Sequence, residues 1–202
     1  MDKEAKGRPV ATVDQMRIWQ IWGESEINKI KREHGGGAEN VREGDGGMHS
    51  ANTAEWLAAA GWTLARDIGS CAEDLIAIRV EDAARQGVSL DVIDPAVRFI
   101  HSYGDLELPL PGTSPERSLI LKPTIGYRGD VDNFAELAHG LGLRVFPVAY
   151  ETIEGSIWLI DETARFFVWH HTGGSFLGAN EYEAFTASYT GVMLADAEDF
   201  FI

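Results

Sequence analysis

Cysteine is almost missing from this chain. Cys71 is the only one among 202 residues, so no intrachain disulfide can form and a cysteine-rich structural zinc site is excluded. A catalytic thiol and a small buried or helix-end residue are the two readings of Cys71, and the second is the simpler. Long apolar runs are missing too. The N-terminal residues are charged and no stretch reaches membrane-spanning length, which predicts neither a signal peptide nor a membrane span. With a lone thiol, this points to a reducing cytoplasm. Basic residues are scarce: 17 Lys and Arg stand against 32 Asp and Glu, a formal net charge of -15. Residues 1–47 hold 8 basic and 9 acidic residues and are near neutral; residues 48–202 hold 9 basic and 23 acidic. So acidic a body repels phosphate backbones, and no direct nucleic-acid partner is expected. It attracts a basic protein and speeds their encounter, although acidic surfaces also simply keep proteins soluble.

The motifs of bond chemistry are absent as well. There is no Gly-x-x-x-x-Gly-Lys-Ser/Thr loop, and Gly173-Gly174-Ser175 lacks both the lysine and the strand–helix setting. No Gly-x-Ser-x-Gly elbow occurs. His170-His171 is an adjacent pair, but neighbours on a strand point to opposite faces and cannot easily share a metal. His101, with Asp105 one turn later, reads as a surface ion pair or a core histidine. His34, His49 and His139 have no ligand-type partners at useful spacing. The acid pairs Glu73-Asp74, Glu81-Asp82, Asp130/Asp132 and Asp161-Glu162 read as solvated faces or caps. Asp161-Glu162 falls in a hairpin turn, where Asp bonds locally. No catalytic residue, cofactor or metal site is expected.

What is present suits one packed domain: 45% of residues are hydrophobic and 10% aromatic. Residues 1–47 stand apart, with a helix expected over 13–32 and a Gly- and charge-rich linker over 35–47. Two readings of this segment stand. Met48 is the natural start, with disordered or mis-assigned residues before it, or the helix is a real appendage to a domain spanning 48–202. Within that domain, helices are expected over 56–60 (capped by Asn52 or Thr53), over 72–86 with Ile76, Val80 and Ala83 on one face, and from Asp94-Pro95 to Gly104. An edge strand or loop at 107–111 and a strand at 118–121 follow. The strongest helical signal is Phe134, Leu137, Ala138 and Leu141, with Asp130 as cap and Gly142 as stop. Strands at 145–150, 156–160 and 165–170 are joined by short turns, so they pair antiparallel. A last helix opens at Asn180 with Glu183 three residues on, as in a capping box. Residues 195–202 find no place. Helices come first and strands later, which favours α+β, a single domain whose antiparallel or mixed sheet is flanked by helices.

Several short motifs occur in a telling order. They are Ala60-Gly61-Trp62 with Arg66; Tyr103-Gly104-Asp105-Leu106; Val145-Phe146-Pro147-Val148-Ala149; the hairpin from Trp158-Leu159-Ile160 through Asp161-Glu162 to Arg165-Phe166; and Leu177-Gly178-Ala179-Asn180 leading into Glu183, Ala184 and Phe185. In order and spacing they resemble the third subgroup of the SUKH superfamily of bacterial immunity proteins, over about residues 53–189. Three glycines of that pattern are replaced, by Asp105, Ala149 and Ala164, so the local turns are expected to differ. The resemblance implies a protein that binds a cognate polymorphic toxin in the producing cell and blocks it, without catalysis. A nuclease with a basic surface would match the acidic body. A lasting-partner adaptor on the same scaffold is the alternative, and a small-molecule enzyme comes third. The motifs mark scaffold rather than contact surface. Contact residues are therefore chosen as acids near the sheet edge and its loops, Asp130, Asp132, Glu151 and Glu154, with Trp158 and Trp169 as aromatic anchors.

Overall fold

Seven short strands carry the architecture. The structure, a computed structural model, describes residues 45–202. The chain divides into two compact units, one ending at Leu64 and the other spanning Ala65–Ile202. The helix expected over 13–32 and most of the linker lie outside the described residues. In the first unit, helix α1 (Asp45–Ala59) begins earlier than expected, so Asn52 and Thr53 lie inside it rather than capping it. It crosses the expected boundary at Met48. Gly61, at φ 95°, closes it: the Trp62 N–H donates to the Leu57 carbonyl at 3.0 Å and the Gly61 N–H to that of Ala58 at 3.0 Å. A left-handed glycine that lets two N–H groups reach back is the common way to satisfy the last helical carbonyls.

The second unit is α+β. Its helices are α2 (Ser70–Arg85), α3 (Asp94–Tyr103), α4 (Asp130–Leu141) and α5 (Glu181–Thr190), with a 3₁₀ turn at Ala197–Phe200. The strands are β1 (Glu107–Pro109), β2 (Ser118–Ile120), β3 (Val145–Glu151), β4 (Ile157–Asp161), β5 (Phe166–His170), β6 (Gly173–Gly178) and β7 (Ala195–Asp196). They lie side by side in chain order, every neighbouring pair antiparallel. The three strands expected from alternating aromatic and β-branched residues are all found. Two more were not expected. β6 contains three glycines and reads as a loop, yet it pairs along β5; β7 comes from the segment that found no place and pairs with β6.

All five residues of β4 are buried, as its two apolar faces require. On one face, Trp158 and Phe166 pack with Phe99 and Tyr103 of α3 and Phe185 of α5; ring centroids lie 4.9–6.3 Å apart. On the other, Ile157, Leu159, Phe167 and Trp169 meet Phe134, Leu137 and Leu141 of α4, Ala83 of α2 and Ala197. Helices thus cover both faces, and the aromatic strands are core. The stripe read from α4 is found, and Gly142 ends the helix at φ 63°. Asn180 caps α5 by accepting the Glu183 N–H at 3.0 Å, while Glu183 accepts from the Ala179 N–H at 2.9 Å. The buried stripe of α2 is Ala72, Ile76, Arg79 and Ala83, so an arginine stands where Val80 was expected.

Candidate functional site

The strand face under α3 and α5 is only partly covered. Toward the turns at the β1–β2 end, an open groove of about 280 Å³ remains. Alternation along the strands builds its floor: Leu119, Trp158, Val168 and Leu177 come from β2, β4, β5 and β6, and all point to the same side. Ser188 of α5 and Leu194 beyond it form one wall.

The opposite wall is polar. Glu151, at the end of β3, is 6% exposed and is used locally: it accepts from the Ile153 N–H at 3.3 Å and the Glu154 N–H at 3.2 Å, which shapes the β3–β4 turn. That turn holds Glu154 up at the rim, half-exposed. The Arg117 Nη1 donates to it at 2.9 Å, and the His170 Nε2 lies 3.5 Å away. His170 shares the strand face of Val168, and its Nδ1 is 3.1 Å from the Thr172 hydroxyl. Ser156 and Ser188 line the same groove, but neither hydrogen-bonds His170 among the described residues. A nucleophile–base pair within reach, the minimum for acyl transfer, is therefore not assembled.

A second polar cluster lies at the start of α4. Asp130 faces inward rather than capping. Its Oδ2 sits 2.9 Å from the Arg79 Nη2, with 1% and 0% of the two side chains exposed. The contact is a close ion pair off the hydrogen-bond line, and the Arg79 Nε has no hydrogen-bond partner. Arg79 also donates to Asp82 at 3.0 Å and lies over the Phe134 ring, 5.2 Å from its centroid. Gln86 ties the cluster to the following loop: its Oε1 accepts the Gly129 N–H at 2.8 Å and its Nε2 donates to Asp82 at 2.8 Å. A concavity of about 320 Å³ opens beside it, lined by Thr124, Gly126, Tyr127 and Arg128. Gly126 is required there, since a Cβ would fall 2.1 Å from the Asp130 carboxylate.

The sequence pattern of the SUKH-3 immunity protein family matches residues 49–191. The chain belongs to that family. No curated protein and no solved structure shows a significant match. Within this SUKH-3 chain, Asp105 and Ala164, two of the positions where the resemblance leads one to expect glycine, sit at φ 64° and 69°, in the left-handed region that favours glycine. Left-handed backbone costs a side-chain-bearing residue about 1–2 kcal/mol. Asp105 tolerates it and also pairs with Lys122 at 2.6 Å. Ala164 sits in a turn organised by the buried Asp161, which accepts from the N–H groups of Thr163 and Arg165, both at 2.9 Å, and from the Arg165 Nε at 2.7 Å. Ala149, the third, adjoins a shift in the β3–β4 register.

The structure separates the residues that the sequence grouped. Glu151, Glu154 and Trp158 converge on the groove; Asp130 belongs to the second cluster, while Asp132 stands exposed on the first turn of α4; Trp169 lies in the opposite core. Only Asp132 and Glu154 of the six are exposed. Asp130, Glu151, Trp158 and Trp169 are buried, so a partner does not touch them broadly in this conformation. Sequence reasoning missed Arg117 and Arg79. Nothing marks Arg117, but Arg79 had a signal: a charge inside the apolar stripe of a helix implies a buried ion partner. His170 and His171 were expected on opposite faces. β5 ends at His170, and the turn that follows brings the two rings to 3.7 Å. His101 pairs with Asp67 and Glu73 rather than Asp105.

Proposed function

We propose that this chain is the antidote of a toxin–immunity pair, which binds a cognate polymorphic toxin in the cytoplasm of the producing cell and blocks it without catalysing a reaction. The observation that carries this reading is the match to an immunity protein family over residues 49–191. Three features support it. The groove offers an apolar floor with a polar wall and no paired nucleophile and base. Residues 48–202 carry 23 acidic against 9 basic residues, which suits a toxin with a basic surface such as a nuclease. Among the described residues no helix is long and apolar enough to cross a membrane. Asp132 and Glu154 are the exposed acids offered as contacts, and Glu151, Trp158, Asp130 and Trp169 hold the surfaces behind them.

The test is co-expression with the toxin domain encoded beside this gene. Cells carrying the full chain are expected to survive toxin induction that kills cells without it, and the two proteins to co-purify. Stable co-purification with some other protein, together with no protection, would instead assign the adaptor role.

A further inference from the structure

The concavity beside the start of α4 carries more hydrogen-bond donors than the protein itself uses. Each acceptor on its wall already holds a bond. Asp82 accepts from the Arg79 Nη1 at 3.0 Å and from the Gln86 Nε2 at 2.8 Å. The Gln86 Oε1 takes the Gly129 N–H at 2.8 Å, and the Tyr127 hydroxyl takes the Asn133 Nδ2 at 2.8 Å. The donors are left over. Arg79 lines the concavity with its side chain 1% exposed, yet its Nε and Nη2 have no hydrogen-bond acceptor. Asp130 balances the charge of Arg79 without lying on the line of those N–H groups. A buried donor left unmade costs about 1–3 kcal/mol, and more when it is charged. On the same wall, the Thr124 hydroxyl and the exposed Arg128 guanidinium have no partner among the described residues.

Spare donors call for a ligand that brings acceptors, and two arginines narrow its kind. A guanidinium presents a planar fork of N–H groups that matches the oxygens of a carboxylate or phosphate. The wall holds two arginines and one aspartate, in a chain whose net charge is -15. With Asp130 behind Arg79, the local charges cancel. Attraction therefore comes from directed N–H and O–H groups at short range, and salt at 0.1 M screens the acidic body beyond about 10 Å. The volume, about 320 Å³, lies at the lower end of the roughly 300–1,000 Å³ of ligand sites. Gly126 keeps the wall open, since a Cβ there would come within 3.3 Å of the Arg79 Nη1.

We propose that this concavity, lined by α2 and residues 124–128, is a binding site for a small oxyanion, a phosphate or a carboxylate. Arg79 is its fixed inner donor, Arg128 its outer one, and the Thr124 hydroxyl supplies a further hydrogen bond. The site is independent of the toxin-neutralising reading above.

The test is amide NMR of the full chain, titrated with sodium phosphate and, in parallel, with sodium acetate. Both titrations run at fixed pH and constant ionic strength. The amides of residues 124–128 are expected to shift together and saturate, with a half-point at about 1 mM or below. Saturation by phosphate, by acetate or by both supports the site and tells which oxyanion it takes. Arg128→Gln should raise the half-point by about fivefold or more. Arg98→Gln removes the same charge from an exposed position on α3 and should leave the half-point within about twofold. Arg128 and Arg98 are both exposed, so the remaining amide positions should stay as in the wild type, which separates a lost ligand contact from a lost fold. Shifts that grow linearly with both ions to about 20 mM overturn the site. So does an equal loss from the two arginine variants, which would report net charge alone. No toxin enters the titration, so its failure leaves the antidote reading standing.

Discussion

His101 is held between two carboxylates: its Nδ1 lies 2.7 Å from Asp67 and its Nε2 3.1 Å from Glu73. The hydrogen bond to Asp67, then that to Glu73, raises its pKa above the ordinary 6.5. Nearby, Arg66 donates to the carbonyls of Ser102 and Gly104 at 2.8 and 2.6 Å, and the Ile68 N–H donates to that of His101 at 3.0 Å. The imidazole is thus part of a clasp between the start of α2 and the end of α3. A group whose folded pKa is raised stabilises fully below its unfolded pKa and loses that contribution as pH rises through the folded value. Urea unfolding of the wild type is therefore expected to show a loss of stability as pH climbs from about 6.5. His101→Gln should flatten that slope, and an unchanged slope would show that the clasp contributes nothing. The sequence did not reveal this clasp. Asp105 was the nearer acid in the chain, but its backbone turns left-handed and its carboxylate goes to Lys122.

Between elements, the Arg79–Asp130 pair is the most consequential contact. It joins α2 to α4 with almost no water access. Removing one partner of a buried pair strands the other charge, which costs about 3–5 kcal/mol, whereas replacing both with apolar groups costs far less. Arg79→Met and Asp130→Ala are each expected to lower unfolding free energy by about that amount. In urea titrations the double variant should fall at least about 2 kcal/mol short of the sum. Additive losses would mean the two side chains do not depend on each other. Asp130 also shows why elements were more legible than their side chains. α4 was readable from its apolar stripe and its glycine stop. An acid at a helix start reads as a cap, and only the packing of α2 turns it inward. β6 escaped for a related reason: Gly173, Gly174 and Gly178 look like loop, and the strand exists because β5 offers it a ladder. Gly178 is needed, since a Cβ there would lie 2.6 Å from the Ala184 backbone nitrogen at the start of α5.

For the whole molecule, charge is the long-range property. With a formal net charge of -15, association with a basic toxin should be fast at low ionic strength and should slow steeply as salt rises. The Debye length shrinks from about 30 Å at 0.01 M to about 10 Å at 0.1 M. Stopped-flow mixing across that range checks this, and a flat association rate would remove steering from the account. The fold class was legible because alternation in strands and periodicity in helices are local signals. The groove was legible only in part: Glu151, Glu154 and Trp158 could be chosen, but Arg117 and His170 reach the same wall through strand pairing that no spacing reveals. The strict succession of strands bears on timing. Because each strand lies beside the next one made, most of the sheet can zip up as translation proceeds, without waiting for a distant segment. For an antidote, early readiness of the guard is itself a form of protection.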